Sequence, residues 1–362
     1  MASGAVPAVF PAFPFLTAFR LPGYTQVMTF TARRAAAAAL CLGLSFVSGC
    51  GPGDESRLPS DPGRVLRIAV IPKGTTHEFW KSIHAGAAGA ARELGVEILW
   101  KGPQKEDDRA QQITVVEDFI SRGVDGIVLA PLDDRALMRP VADASREKIP
   151  VVIIDSGLQG EDYVSFVATD NYLGGVLGAR RLGELMGGRG RIFLIRYQEG
   201  SASTMERERG FLDTAGKEFP GLTLLVRDQY AGATTETAYQ LAENLIGRFP
   251  DVEGIFTPNE SSTFGTLRAL QESGLAGKVK FVGFDSSPKL VQGLRAGHLQ
   301  GLVLQNPKKM GDLGVRYLVA HLKGEPVPKR VDTGVSLATP ETMDGPEIKP
   351  LLEPVFPADL DR

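Results

Sequence analysis

Short apolar runs alternate with helical patterns along the chain from Leu66 onward, in two successive series of similar length. Continuous apolar runs between amphipathic helices are typical of parallel strands in a sheet covered on both faces. The sequence therefore predicts an α/β fold with two Rossmann-like lobes. Its strands are expected at 66–71, 96–100, 126–130 and 150–155, and then at 191–196, 222–228, 253–259, 279–285 and 299–305. Helices are predicted at 79–94, 108–122, 134–147, 203–217, 235–248, 261–274, 288–296 and 308–323.

The N-terminal region has the order of a secretory signal. Arg33 and Arg34 precede an uncharged run, Ala35–Val47, and two small residues then lead to Cys50. Signal peptides combine a basic region, an apolar region and a small-residue cleavage site in this order. Because the pattern ends in a cysteine, it resembles a bacterial lipobox, and we expect residues 1–49 to be removed and Cys50 to be lipidated. A chance cysteine after an ordinary secretory signal is the alternative.

The leader and the segment after it predict where the protein works. Met28 is a better initiator than Met1, since the signal then has an ordinary length. The apolar run of about 13 residues is too short for a helix spanning a bilayer of ~30 Å, which needs roughly 20 residues. Residues 50–65 are rich in Gly, Pro and charge, so we expect a lipidated flexible tether. The mature protein is predicted in the periplasm or at the cell exterior, lipid-anchored to a bacterial membrane.

Composition argues against several kinds of partner and site. The net charge is −3, and loss of a leader with three arginines and no acidic residue leaves −6. An acidic, unpatterned surface argues against nucleic acid as a partner. Cys41 leaves with the leader, so the mature chain would hold only Cys50 and could form no internal disulfide. The sequence has no HExxH, P-loop, GxSxG or CxxC motif, and we predict no metal and no cofactor.

Polar side chains stand where the predicted strands end, which is where parallel α/β sheets bind ligands. Carboxylates, amides and a guanidinium there can pair with sugar hydroxyls, and aromatic rings can pack on a sugar's C–H face. The candidate residues are Asp155, Asn259, Asp285 and Gln305 at strand ends, Arg207 after 191–196, and His77, Phe79 and Trp80 after the first strand. Other interpretations stay open: the aromatic residues could belong to the core, the aspartates could cap helices, Asn259 could be a turn residue, and Arg209 competes with Arg207.

At these residues the chain resembles the periplasmic sugar-binding proteins of ABC transporters, in the ribose-binding subgroup. The resemblance covers about 66–340 and is carried by segments that include HEFWKSIHAGA, GVDGIVLAP, PVVIIDS, RERGF, IFTPNESSTFGTLRALQ and FVGFDSSP. It implies the type I periplasmic binding protein fold, with two lobes joined by a three-stranded hinge. The expected lobes are 66–169 with 306–334 and 170–305 with 335–350, followed by a tail at 351–362.

The same resemblance implies a set of ligand-binding positions. The residues that match the family are Phe79, Trp80, Asp155, Arg207, Asn259, Phe284, Asp285 and Gln305. Three positions depart from it: His77 replaces an asparagine, Ser156 an arginine, and Ala233 an aromatic residue. Losing one arginine and one ring is expected to open the pocket, so a bulkier sugar, a polyol or a modified inositol fits as well as ribose.

The resemblance also implies a mechanism and partners. The two lobes would close on a sugar or polyol, and the closed monomer would dock on an ABC permease, which works with its ATPase. A sensory protein that presents its sugar to a chemoreceptor or kinase is the alternative. A LacI-type repressor would need a helix-turn-helix and a basic face. A glycosidase using Asp155 and Asp285 would need them as a paired acid and base, and no motif in the sequence supports such a pair. We therefore predict that the protein is not an enzyme.

Overall fold

The computed structural model describes residues 64–356. The predicted leader, the lipidation site at Cys50, most of the tether and the end of the tail lie outside these residues. The first half of the described chain forms β1 (Arg67–Ile71), α1 (Glu78–Leu94), β2 (Glu97–Trp100), α2 (Arg109–Ser121), β3 (Gly126–Leu129), α3 (Met138–Arg146), β4 (Val151–Ile154) and β5 (Ser165–Ala168).

The chain then builds a second series of the same kind. Its elements are α4 (Asn171–Leu185), β6 (Arg189–Arg196), α5 (Ala202–Glu218), β7 (Gly221–Tyr230), α6 (Thr235–Arg248), β8 (Gly254–Phe256), α7 (Glu260–Glu272), β9 (Lys280–Phe284), α8 (Pro288–Arg295) and β10 (Gly301–Leu304). The last part contains α9 (Pro307–Leu322), β11 (Arg330–Asp332), β12 (Ser336–Ala338) and α10 (Lys349–Leu352).

The strands form two sheets with equivalent order. The first runs β11-β5-β4-β3-β1-β2 and is parallel throughout. The second runs β12-β10-β9-β8-β6-β7, with β12 antiparallel to β10 and the other pairs parallel. Helices cover the faces, so the central strands are buried from end to end, as the continuous apolar runs predicted. The predicted α/β fold class is confirmed.

The chain passes between the sheets three times. It leaves the first sheet after β5, returns between β10 and α9, which packs on β3 and β4, and crosses again between β11 and β12. We call the body built on the first sheet the first lobe and the body built on the second sheet the second lobe.

Glycines let one helix pair in each lobe cross at backbone contact. A Cβ atom on Gly86 of α1 would lie 1.9 Å from the carbonyl oxygen of Lys308 at the start of α9. The second lobe repeats this arrangement, because a Cβ on Gly210 of α5 would lie 2.1 Å from the carbonyl oxygen of Tyr172 in α4. Both pairs carry residues of the cleft, so their close packing fixes the position of the site.

Among residues 64–356, no helix has the length and hydrophobicity needed to cross a bilayer. The same stretch holds no group of three or more His, Cys, Asp or Glu side chains placed to bind a metal ion.

Candidate ligand-binding site

A cavity lies where the strand ends of the two lobes face each other. Eight sequence-predicted residues line it: His77, Phe79, Trp80, Asp155, Arg207, Asn259, Asp285 and Gln305. Seven further residues line it that sequence reasoning missed: Lys73, Glu106, Tyr197, Ser201, Ser203, Thr204 and Glu260. Three predicted positions, Ser156, Ala233 and Phe284, are buried nearby but do not line the cavity.

Two aspartates occupy equivalent positions in the two lobes. Asp155 follows β4 with φ of 62°, and Asp285 follows β9 with φ of 68°. This left-handed region is unfavourable for most residues, but Asp and Asn tolerate it. The conformation turns the chain sharply at each of the two strand ends and leaves both carboxylates buried at the cavity wall.

Asp285 binds neighbouring groups rather than capping the helix that follows it. Its Oδ1 accepts a hydrogen bond from Gln305 Nε2 at 2.7 Å, and its Oδ2 accepts one from the Glu260 backbone N–H at 3.0 Å. Ser287 caps α8 instead. Burial raises the pKa of Asp285, against the lowering effect of the Arg207 charge and the Gln305 hydrogen bond.

Lys73 supplies the cation that the sequence lacks at Ser156. Its Nζ lies 2.9 Å from Asp155 Oδ2, and both side chains are about 4% exposed. The same ammonium group donates to Ser203 Oγ at 3.1 Å and to Ser201 Oγ at 3.4 Å, in the other lobe. Ser156 instead accepts from the Ser203 backbone N–H at 3.1 Å. The sequence signal that could have identified Lys73 is its position two residues after β1, since it stands at a strand end as the aspartates do.

Glu106 collects three side-chain hydrogen bonds from both lobes. Its Oε1 bonds His77 Nδ1 at 2.5 Å and accepts from Trp80 Nε1 at 2.6 Å. Its Oε2 accepts from the Tyr197 hydroxyl of the second lobe at 2.6 Å. These bonds outweigh burial, which alone would raise the pKa of Glu106, and lower it to about 2. Trp80 is therefore largely a core residue whose ring nitrogen orients Glu106, as one of the open interpretations held.

Arg207 is the buried arginine of the pair considered from the sequence. Its Nε donates to Asn171 Oδ1 at 2.8 Å and its Nη1 to the Pro258 carbonyl oxygen at 2.9 Å. The guanidinium lies 4.1 Å from the centre of the Phe284 ring, so Phe284 supports the site from behind. Arg209, by contrast, pairs with Glu206 at the surface.

Two buried polar atoms of the cavity residues have no partner. Arg207 Nη2 is a donor and Gln305 Oε1 is an acceptor, and neither makes a hydrogen bond. Leaving such groups unpaired in the interior is costly. A bound molecule with hydroxyl groups, which both donate and accept, would satisfy both atoms.

Asn259 and Ala233 have mainly structural surroundings. Asn259 caps α7, with its Oδ1 accepting from the Ser262 backbone N–H at 3.4 Å and its Nδ2 donating to Ser261 Oγ at 2.9 Å. Asn259 is therefore a structural residue at the start of α7, as one interpretation of the sequence held, and it also borders the cavity. Ala233 is buried before α6 and is not part of the lining.

Glu260 connects the second lobe to the first. Its carboxylate accepts from the backbone N–H groups of Phe79 at 3.2 Å and Glu78 at 3.4 Å, at the start of α1. His77, the N-cap of α1, makes no side-chain cap, so Glu260 fills that role from across the cleft. Burial raises the pKa of Glu260 to about 7, although the charge of His77 opposes this shift.

The lobes are in direct contact around the cavity. Gln198 Nε2 donates to the Glu106 carbonyl oxygen at 2.8 Å, and Arg109 Nη2 donates to the Glu199 carbonyl oxygen at 2.7 Å. The enclosed space is about 30 Å³, room for two or three waters at ~10–15 Å³ each. The cavity is therefore narrow, whereas a wide pocket was expected from the missing arginine and ring, and the side chains of Lys73 and Tyr197 form part of its wall.

The pair of His77 and Glu106 predicts a pH dependence of stability. Burial would lower the pKa of His77, but the hydrogen bond and charge of Glu106, with Glu260 and Asp285, raise it from 6.5 to about 9. A raised pKa stabilises the fold below pH 6.5 and loses this effect as pH rises through 9. We expect the unfolding free energy to fall by roughly 2 kcal/mol more between pH 6 and 9.5 in the native protein than in His77→Asn, measured by urea unfolding. Equal losses in both proteins would show that this histidine is not held charged.

Comparison with known proteins identifies the fold family. The profile of the periplasmic binding protein domain matches residues 68–326. The chain belongs to the periplasmic binding protein family. This binding protein is 29% identical to the ribose import binding protein of Salmonella typhimurium, over 75% of its own chain and 89% of that relative. It is also 29% identical to the D-allose-binding periplasmic protein of Escherichia coli, over 72% of its chain and 86% of the relative.

Solved structures give the same result. A carbohydrate transporter solute-binding protein from Agrobacterium radiobacter in complex with D-arabinose is 34% identical, with a TM-score of 0.78, covering 80% of this binding protein and 99% of that chain. The periplasmic component of an ABC-type sugar transport system from Hahella chejuensis is 36% identical, with a TM-score of 0.73, covering 75% and 99%. The predicted resemblance to ribose-binding-like periplasmic sugar-binding proteins is confirmed.

Proposed function

We propose that this binding protein is the substrate-binding component of an ABC-type sugar importer. It binds a monosaccharide or related polyol between its lobes and delivers it to a membrane permease that works with its ATPase. The observation that carries the proposal is the pair of unpartnered buried atoms, Arg207 Nη2 and Gln305 Oε1, beside two strand-end carboxylates. The relatives that bind ribose and D-allose, and the similar structure in complex with D-arabinose, support the same class of ligand.

The chemistry of the cavity suits a neutral polyhydroxy compound. Lys73 pairs with Asp155 and His77 pairs with Glu106, and the charge of Arg207 favours the ionised form of Asp285, so most of its charges are compensated within the protein. A ligand with a net charge would disturb this balance in a buried setting, at considerable cost. Hydroxyl groups fill a free donor and a free acceptor without adding charge, and the Phe79 ring offers an apolar surface for a sugar ring.

Binding by lobe closure follows from the distribution of the binding residues over the two lobes. Lys73, His77, Phe79 and Asp155 belong to the first lobe, whereas Arg207 and Asp285 belong to the second. A ligand that bonds both sets stabilises the closed arrangement over an open one. The hydrogen bonds from Lys73 to Ser203 and from Tyr197 to Glu106 join the lobes in the present structure. Because the cavity they enclose has room for only two or three waters, the lobes must separate further to accommodate a sugar.

The location and assembly are part of the same proposal. The protein acts outside the cytoplasm as a monomer, held by a lipid on Cys50 at the end of the signal-like leader. It binds its sugar without converting it, since Asp155 and Asp285 are each engaged by protein groups and neither is placed as a free acid or base. Metabolic labelling with a radioactive fatty acid, compared between the native chain and Cys50→Ala, tests the anchor.

A ligand screen tests the proposal directly. Pentoses, hexoses, polyols and inositols are added to the purified protein, thermal stabilisation is recorded, and positive compounds are measured by titration calorimetry. We expect one class to raise the melting temperature and bind with a micromolar Kd, about −8 kcal/mol. Product analysis after long incubation should recover the sugar unchanged. Binding of no polyhydroxy compound, or its turnover, would contradict the proposed function.

A further inference from the structure

A second, larger chamber lies beside the candidate sugar cavity. Its volume is about 360 Å³, against about 30 Å³ for the sugar cavity. It is bordered by the start of α1, the first turns of α8, the end of β10 and the segment 351–356. It is a cleft rather than a sealed void, since Gln292, Arg295 and Glu353 in its lining are exposed. Ligand pockets are commonly clefts of roughly 300–1,000 Å³.

The inner wall of the chamber is apolar. It is formed by side chains of Phe79, Val291, Leu304, Leu351, Leu352, Pro354 and Phe356. Charged side chains that border it, such as Arg295 and Glu353, are exposed at its rim. An apolar cavity of ~150 Å³ is known to be large enough to bind benzene, so this chamber has room for a group of that size. Ser82, Ser286, Ser287 and Gln292 add polar groups to a lining that is mainly apolar.

The segment 351–356 closes the chamber from outside. The Leu352 carbonyl oxygen accepts a hydrogen bond from Ser286 Oγ at 2.7 Å, and Arg295 lies 3.7 Å from the Glu353 carboxylate, so the segment is fixed to the second lobe. It then reaches the first lobe, where Phe356 lies beside Gly86 and Gly89 of α1. The chamber is therefore bounded by both lobes, as the sugar cavity is.

Three residues border both spaces. Phe79, Asp285 and Gln305 line the chamber as well as the sugar cavity. Gln305 is 4% exposed, and its Oε1 atom has no hydrogen-bond partner. These three residues therefore lie between the two spaces, and a sugar bonded to Asp285 and Gln305 would lie next to the chamber.

We propose that the ligand is a sugar that carries an apolar substituent, a glycoside with an aryl or alkyl group, and that the substituent occupies this chamber. The inference rests on the proposed function and adds the ligand class. The polar cavity holds the sugar through Asp285, Gln305 and Arg207, and the chamber holds the group attached to it.

Matched glycosides test the inference. Free D-fucose, D-arabinose and D-allose are compared by titration calorimetry with their methyl and phenyl glycosides, in both anomeric forms. We expect a phenyl glycoside to bind at least tenfold tighter than the methyl glycoside of the same sugar, because burying the ring removes apolar surface from water. Val291→Phe, which fills the chamber from α8, should remove this gain and leave methyl glycoside affinity unchanged. Leu351→Trp fills it from the opposite wall and replaces Val291→Phe if that variant does not fold.

Each outcome separates the two proposals. Free sugars and methyl glycosides that bind, with phenyl glycosides that bind equally or less well, would overturn the inference and leave the proposed function standing. A phenyl gain that survives in both filled variants would place the aryl group elsewhere and would also overturn it. Binding of no sugar or glycoside would contradict the proposed function itself.

Discussion

Replacing Asp285 by asparagine is expected to weaken sugar binding by about 10- to 100-fold while the protein stays folded. In the proposed site the carboxylate accepts hydrogen bonds from sugar hydroxyls, and bonds to a charged group contribute about 1.5–3 kcal/mol. The asparagine amide cannot accept at both positions. In either orientation, the NH2 group of the asparagine also faces a donor, the Gln305 amide or the Glu260 backbone N–H. In the native protein this donor bonds an oxygen of Asp285.

Asparagine is the informative change because of the backbone at this position. Asp285 has φ of 68°, a region that Asn tolerates and Ala does not, so Asp285→Ala mixes binding with backbone strain. Titration calorimetry with the sugar found in the screen gives the effect. Asp344→Asn, at an exposed position of the second lobe, is the matched control and should bind as the native protein does. An unchanged Kd in Asp285→Asn would remove Asp285 from the site.

A large loss of stability is expected from Gly210→Ala. The added Cβ would lie 2.1 Å from the Tyr172 carbonyl oxygen and 3.2 Å from the Val176 nitrogen, both of them backbone atoms of α4. Because backbone cannot move aside as a flexible side chain can, α4 and α5 must separate. Overpacking of cores usually costs about 1–3 kcal/mol, and we expect about 3 kcal/mol or more here. Arg207 lies one turn earlier on α5, so sugar affinity should fall as well.

The same helix offers the control. Gly216 of α5 has no heavy atom within 4 Å of an added Cβ, so Gly216→Ala gains helix propensity without a clash. It should stabilise the protein by about 0.5–1 kcal/mol. Urea unfolding of both variants measures the difference. Similar stability of Gly210→Ala and Gly216→Ala would mean that the helices do not cross this closely.

The sheets could be predicted from sequence because their signal is local. A strand buried on both faces must be apolar throughout, as the runs that became β3, β4 and β10 are. Asp155, Asp285 and Gln305 could be predicted for a related reason, since they stand directly after such runs and the fold gathers strand ends at one place. The prediction of these strands and strand-end residues depends only on short stretches of sequence, which are visible in one sequence alone.

The remaining site residues depend on contacts between distant segments. Glu106 lies in the charged stretch KEDD, which looks like a solvated loop, yet His77, Trp80 and Tyr197 bury and fix it. Nothing near Glu106 in the sequence signals those partners. Ser156 and Ala233 are the opposite case, since matching the family's positions predicted them in the site, whereas Lys73 and Tyr197 line the cavity and these two residues do not.

A crystal structure of the protein with the sugar identified in the screen would show directly whether the sugar binds between the lobes. We expect it to lie there, with its hydroxyls bonded to Arg207 Nη2, Gln305 Oε1 and the Asp285 carboxylate. A sugar bound on one lobe alone, or outside the cleft with these groups still unpaired, would contradict this expectation.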